Sequence, residues 1–168
     1  MLVESGSVGG LGGAGLSLNL GGRIMTLRGG TTRMSNGAGI HGVEGVIDLS
    51  NHAALLTRFI TDSTVSLSDE STLRFYGGDQ PVVESTIDLR SFDAVVLFNN
   101  ETPDDFLLEH LNKFTVFGAP AEEGVNIRVT TFNGVLGAQV QALAVPEPSS
   151  VAVYAALSLG LFVRRRRC

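Results

Sequence analysis

The chain has 168 residues, 43% of them hydrophobic, with 21 glycines and no tryptophan; this suits one modest core of short strands and tight turns and excludes wholesale disorder or two large domains. The net charge of −5 hides an asymmetry: of 12 basic residues four are Arg164 to Arg167, so the remaining 8 face 17 acidic residues, a net −9 for the body. So acidic a body excludes nucleic acid as a partner, because phosphate binding needs a basic face.

In chain order, Met1 to Gly10 shows neither a basic start nor a continuous apolar stretch, and Glu4 interrupts it. An exported protein needs such a leader, so the expectation is that this sequence begins inside a longer protein. Residues 6–45 are rich in glycine and are broken by the alternating runs Leu16-Ser-Leu-Asn-Leu20 and Arg23-Ile-Met-Thr-Leu27, the pattern of half-buried strands. Gly10-Leu-Gly-Gly-Ala-Gly15 and Gly37-Ala-Gly-Ile-His-Gly42 both fit GxGxxG. A dinucleotide site also needs a strand before, a helix after and an acid about 20 residues on. Neither match has that context, so no cofactor is expected.

Three segments then resemble one another: Gly45-Val-Ile-Asp-Leu-Ser50, Ser63-Thr-Val-Ser-Leu-Ser68 and Ser85-Thr-Ile-Asp-Leu-Arg90, spaced by 18 and 22 residues. Each is followed, six residues past its central leucine, by a second apolar position: Leu55, Leu73 and Val95. Repeats of this length match one coil of a solenoid. The fold class expected is mainly β, a right-handed parallel β-helix or solenoid, with a β-sandwich as the alternative. Ile47, Leu49, Val65, Leu67, Ile87 and Leu89 should point inward. Asp48, Ser66 and Asp88 should line up outside.

Thr102-Pro-Asp-Asp105 is a helix start, with Thr as cap, Pro at the first position and acids at the positive end. Phe106, Leu107, Leu108 and Leu111 give the short helix an apolar face, which should close the end of the solenoid. Phe114-Thr-Val-Phe117, Val125-Asn-Ile-Arg-Val129 and Ala138-Gln-Val-Gln-Ala-Leu143 read as terminal strands.

Catalytic and metal chemistry finds little support in the body. His41, His52 and His110 are far apart, and Glu109-His110 reads as a solvated face of the helix. Asp104 with Asp105, or Asp62 with Asp69 and Glu70, lack the spacing of a calcium loop and read as acidic surface. There is no nucleophile elbow, and the only thiol, Cys168, is terminal, so neither a disulfide nor a prenylation box is available. No catalytic, cofactor-binding or metal residues are assigned, and the chain is not expected to be an enzyme.

The last two dozen residues carry the strongest pattern. Pro146, Glu147 and Pro148 keep the chain extended. Val151 to Val163 is an uncharged apolar run able to form a transmembrane helix. Arg164, Arg165, Arg166 and Arg167 form a cationic stop that stays cytoplasmic. This three-part segment, residues 145–168, resembles the PEP-CTERM sorting signal of bacteria, also labelled an ice-binding protein C-terminal domain. The resemblance implies export, transient anchoring in the inner membrane through residues 149–163, and an exosortase-type protease as processing partner. The expected domains are a Gly-rich β segment (1–44), solenoid repeats (45–101), a capping helix with terminal strands (102–144) and the sorting signal (145–168). The expected function is a structural or adhesive protein of the bacterial cell surface or extracellular matrix, with polysaccharide as a contact. The alternative is the C-terminal fragment of a secreted carbohydrate-active enzyme with a β-helix body.

Overall fold

The computed structural model describes residues 2–3, 7–11, 18–34, 38–77, 80–132 and 137–144. Pro146, Glu147, Pro148, the apolar run and Arg164 to Arg167 lie outside the described residues, as does most of the first glycine motif. Among the described residues no helix is long and apolar enough to cross a membrane.

The chain folds as a β-solenoid of stacked coils. Strands β1 (Leu2–Val3) and β2 (Ser7–Leu11) precede a circuit made of β3 (Leu18–Asn19), β4 (Ile24–Arg28) and β5 (Thr31–Met34). The next circuits are β6 (Ile40–Ser50) with β7 (Ala54–Thr57), β8 (Ile60–Leu67) with β9 (Thr72–Phe75), and β10 (Val82–Val83) with β11 (Thr86–Leu89) and β12 (Val95–Phe98). Each circuit pairs in parallel with the one before. This all-parallel stacking fits the solenoid and not the antiparallel sandwich alternative.

Alternation decides which side chains enter. Met25, Ile47, Val65 and Ile87 form one inward row, and Leu27, Leu49, Leu67 and Leu89 the next. All eight are fully buried, each worth about 1.5–3 kcal/mol of burial. The stacking therefore continues upstream of residue 45, through Met25 and Leu27. Leu55 and Leu73 also stack inside, but the next member is Val96 rather than Val95. Val96 is buried and Val95 only half-buried. The path from Leu89 to Val96 is one residue longer than the path from Leu67 to Leu73, which moves the inward position by one and so reverses the face.

The 18- and 22-residue spacings arise where the second sheet returns to the first. Only Arg58 and Phe59 join β7 to β8, whereas residues 76–81 join β9 to β10. At another corner a single left-handed residue turns the chain: Asp62 (φ 50°) in one circuit and Glu84 (φ 48°) in the next. In the preceding circuit Gly42, Val43 and Glu44 fill that corner, and the register shifts between His41 and Gly45. Gly42 is required there, since a Cβ would strike the Asp62 carbonyl of the adjacent coil.

The C-terminal end is built differently. Helix α1 (Pro103–Glu109) begins at Thr102, which forms a capping box with Asp105. A single 3-10 turn, Leu111–Lys113, follows. The chain then adds β13 (Phe114–Val116) in parallel to β11 and folds back as β14 (Ala119–Pro120). Strands β15 (Ile127–Thr131) and β16 (Ala138–Ala142) are antiparallel, with β16 laid against β12. Phe106 of the helix is fully buried, 5.4 Å from the Phe98 ring and 5.0 Å from the Phe114 ring. Phe75 also stacks on Phe98, at 5.0 Å.

Candidate functional site

The outward side of the first sheet gathers the hydrogen-bonding side chains that the repeats carry. Thr26, Asp48, Ser66, Asp88 and Thr115 stand in one row across β4, β6, β8, β11 and β13. Neighbours in such a row lie about 4.8 Å apart. The expected alignment of Asp48, Ser66 and Asp88 is thus observed, with Thr26 and Thr115 added at the ends, but Ser66 and Asp88 are buried rather than open to solvent. Parallel strands in register hold these groups because the repeat places the same residue class at the same point of each coil. Thr64 and Thr86, next to each other in the adjoining row, are exposed.

Two neighbouring pairs within the row are hydrogen-bonded. Ser66 Oγ donates to Asp48 Oδ1. Asp88 Oδ1 accepts from Thr115 Oγ1 at 2.8 Å and from the Gly118 N–H at 3.0 Å, and its Oδ2 accepts from Arg90 Nε at 2.8 Å. Burial alone would push the Asp88 carboxyl up. The bonds from Arg90, Gly118 and Thr115, with the Arg90 charge, outweigh it and hold Asp88 below its ordinary value. Asp88 is therefore an ionised post that ties β11 to the β13–β14 hairpin.

A second polar cluster lies where α1 meets the coils. His110 is 1% exposed, lies 5.5 Å from the Phe98 ring with the two planes nearly parallel, and contacts Glu101 Oε1 through Nε2 at 3.1 Å. Lys113 Nζ reaches His110 Nδ1 at 3.0 Å and donates to the Val82 carbonyl at 2.7 Å. A lysine ammonium only donates, so Nδ1 accepts and the imidazole hydrogen sits on Nε2, directed at Glu101. Burial lowers the Lys113 amine, against the opposing pull of the Glu101 and Glu109 carboxylates. Glu101 Oε2 is buried without a hydrogen bond. Lys113 and His110 border a recess of about 360 Å³ shared with Gln80, Val82, Val83, Glu84 and Glu109.

His110 thus corrects the expectation of a solvated Glu109-His110 face: Glu109 is exposed, and His110 faces the core. The sequence offered no signal for its partners, since Glu101 precedes the helix and Lys113 follows it. His41 contacts Thr61 Oγ1 at 2.6 Å, and His52 contacts Glu70 at 3.1 Å on the surface. Asp69 accepts from the Asn51 N–H of the preceding coil, so it serves a corner. Asp105 belongs to the helix cap, and hydrogen bonds from Thr102 hold its carboxyl below the ordinary value. Asp62 lines a shallow cleft with Glu44 and Glu84. Among the described residues no group of three or more His, Cys, Asp or Glu side chains is placed to hold a metal ion.

Comparison of the chain with family models, with curated proteins and with solved structures finds no match.

Proposed function

We propose that this chain is the body and sorting tail of an exported bacterial surface protein, structural or adhesive, whose first sheet contacts extracellular polysaccharide. The observation that carries the reading is the exposed pair Thr64 and Thr86 on the outer side of the sheet, beside the row Thr26–Asp48–Ser66–Asp88–Thr115, of which Thr26, Asp48 and Thr115 are half-buried and Ser66 and Asp88 buried. Hydroxyls and carboxylates repeated at strand spacing on a parallel sheet match the needs of a polymer of hydroxyl-bearing rings, which offers donors and acceptors at regular intervals. In this reading the solenoid is right-handed and not an enzyme. Residues 145–168 direct it to an exosortase-type protease, with residues 149–163 spanning the inner membrane and Arg164 to Arg167 on the cytoplasmic side.

The test is deletion of residues 145–168 in the producing cell, followed by fractionation. The expected outcome is loss of envelope retention and appearance of the body in another fraction. Unchanged retention overturns the sorting part of the proposal. Binding of the full chain to soluble polysaccharides tests the other part.

A further inference from the structure

Two phenylalanines lie on the surface in contact with each other. Phe92 is 47% exposed and Phe117 is 55% exposed, and their rings meet edge to face at 5.2 Å. Isolated exposed hydrophobic residues are ordinary; two paired rings are less so, and the backbone at one of them adds a second observation. Phe117 and Gly118 form the two-residue turn between β13 and β14, with φ of 50° and 81°. Positive φ at both positions is the signature of a type I′ hairpin, where the first position favours Asn, Asp or Gly. A bulky residue there is strained. Folding does not call for it. The Phe117 N–H donates to the Leu89 carbonyl at 3.0 Å, but Asn or Gly would supply that bond equally well.

The pair also adjoins the polar row. Asp88, Arg90 and Phe92 follow one another along β11 and its corner, while Thr115 and Phe117 follow along β13 beside it. Asp88 fixes both sides, through Arg90 Nε and through the Gly118 N–H at the hairpin tip. Asp88 is buried and its bonds are taken by Arg90, Thr115 and Gly118, so the polar group open to solvent beside the rings is the Arg90 guanidinium, whose side chain is 58% exposed. Exposed aromatic rings with a guanidinium beside them suit a pyranose ring, whose C–H face packs on an aromatic ring while its hydroxyls reach a polar neighbour.

We propose that Phe92 and Phe117 form a sugar-stacking subsite for a neutral polysaccharide, continuous with the Asp48–Ser66–Asp88–Thr115 row. This rests on the polysaccharide reading above and gives it a location. A neutral polymer is chosen by charge: the chain carries −5 overall, Asp88 and Asp93 flank the platform, and the Arg90 charge is engaged by Asp88. A polyuronate would meet net repulsion.

The experiment is affinity electrophoresis of the full chain in gels containing laminarin, dextran or galactomannan, with alginate as the anionic probe. At least one neutral polymer should retard the wild-type chain. Phe92→Ala and Phe117→Asn should each weaken that retardation roughly tenfold, as loss of an aromatic contact does. Phe117→Asn should leave Tm unchanged or raise it, because Asn fits the turn. Retardation unchanged in both variants overturns the subsite; if Asp48→Ala or Thr86→Ala then weakens binding, the broader polysaccharide reading survives. No retardation by any neutral polymer overturns the subsite, and no retardation by alginate either overturns the polysaccharide reading with it. A lowered Tm for Phe117→Asn with undiminished binding shows a packing role only, and Phe-dependent retardation by alginate overturns the neutral class.

Discussion

The middle of the stack and its C-terminal end solve the same problem by different means. In the middle, the inward residues of β4, β6, β8 and β11 stack on like residues: Met25, Ile47, Val65 and Ile87, or Leu27, Leu49, Leu67 and Leu89. Repetition supplies the packing, and no single side chain is unique. At the end the described residues add no further parallel strand to β12, and Phe75, Phe98, Phe106 and Phe114 fill the space, with His110 stacked among them and bonded to Glu101 and Lys113. A repeat fold needs generic residues where it repeats and specific ones where it stops.

The largest expected effect comes from Phe98→Ala, which removes the ring that touches Phe75, Phe106, His110 and Phe114. It should cost about 3–5 kcal/mol in urea unfolding. Amide exchange should rise first in α1, β12 and β13 and leave β6 and β8 protected, because the end opens as a local unit. Equal loss of protection in β6 and β8 would break the distinction between middle and end. Next comes Glu101→Ala, which strands the buried His110 Nε2–H and should cost about 1–3 kcal/mol. Glu101→Gln keeps an acceptor and should cost clearly less in the same measurement; equal losses would mean that bulk, not the hydrogen bond, matters.

The smallest of the three concerns Asp88, which links the middle to the end. Its carboxyl is lower in the folded chain than its ordinary 3.8. The folded state then binds fewer protons than the unfolded state, so this contribution is fully present above about pH 4 and is lost as pH falls through the depressed folded value. Asp88→Asn should cost about 1 kcal/mol at neutral pH and flatten the acid limb of the stability curve. An unaltered acid limb in that variant would assign the pH dependence to other carboxylates.

The middle was legible in the sequence, and the end was only partly so. Ile47, Leu49, Val65, Leu67, Ile87 and Leu89 were readable because a period of two maps directly onto the two faces of a strand. The alignment of Asp48, Ser66 and Asp88 followed from the same repeat. The spacing of six residues points to Val95, whereas Val96 takes the inward place, because the extra residue in the corner after Leu89 leaves no mark in composition. The start of α1 was evident from Thr102 and Pro103, whose capping chemistry is local. The burial of His110 was not, because its partners Phe98, Glu101 and Lys113 come from three separate elements. Phe92 and Phe117, likewise, become neighbours only once β13 has been laid beside β11.

The final strands also bear on what the molecule avoids. A parallel coil with nothing after it would offer a ready template to any extended segment of another chain. Here β16 runs antiparallel along β12, the outermost strand β15 carries exposed Arg128, and β14 on the other sheet ends in Pro120, which has no N–H to give. Growth of one molecule upon another into fibrils is thereby blunted at this terminus, so many copies can be held at high concentration without seeding their aggregation from that side.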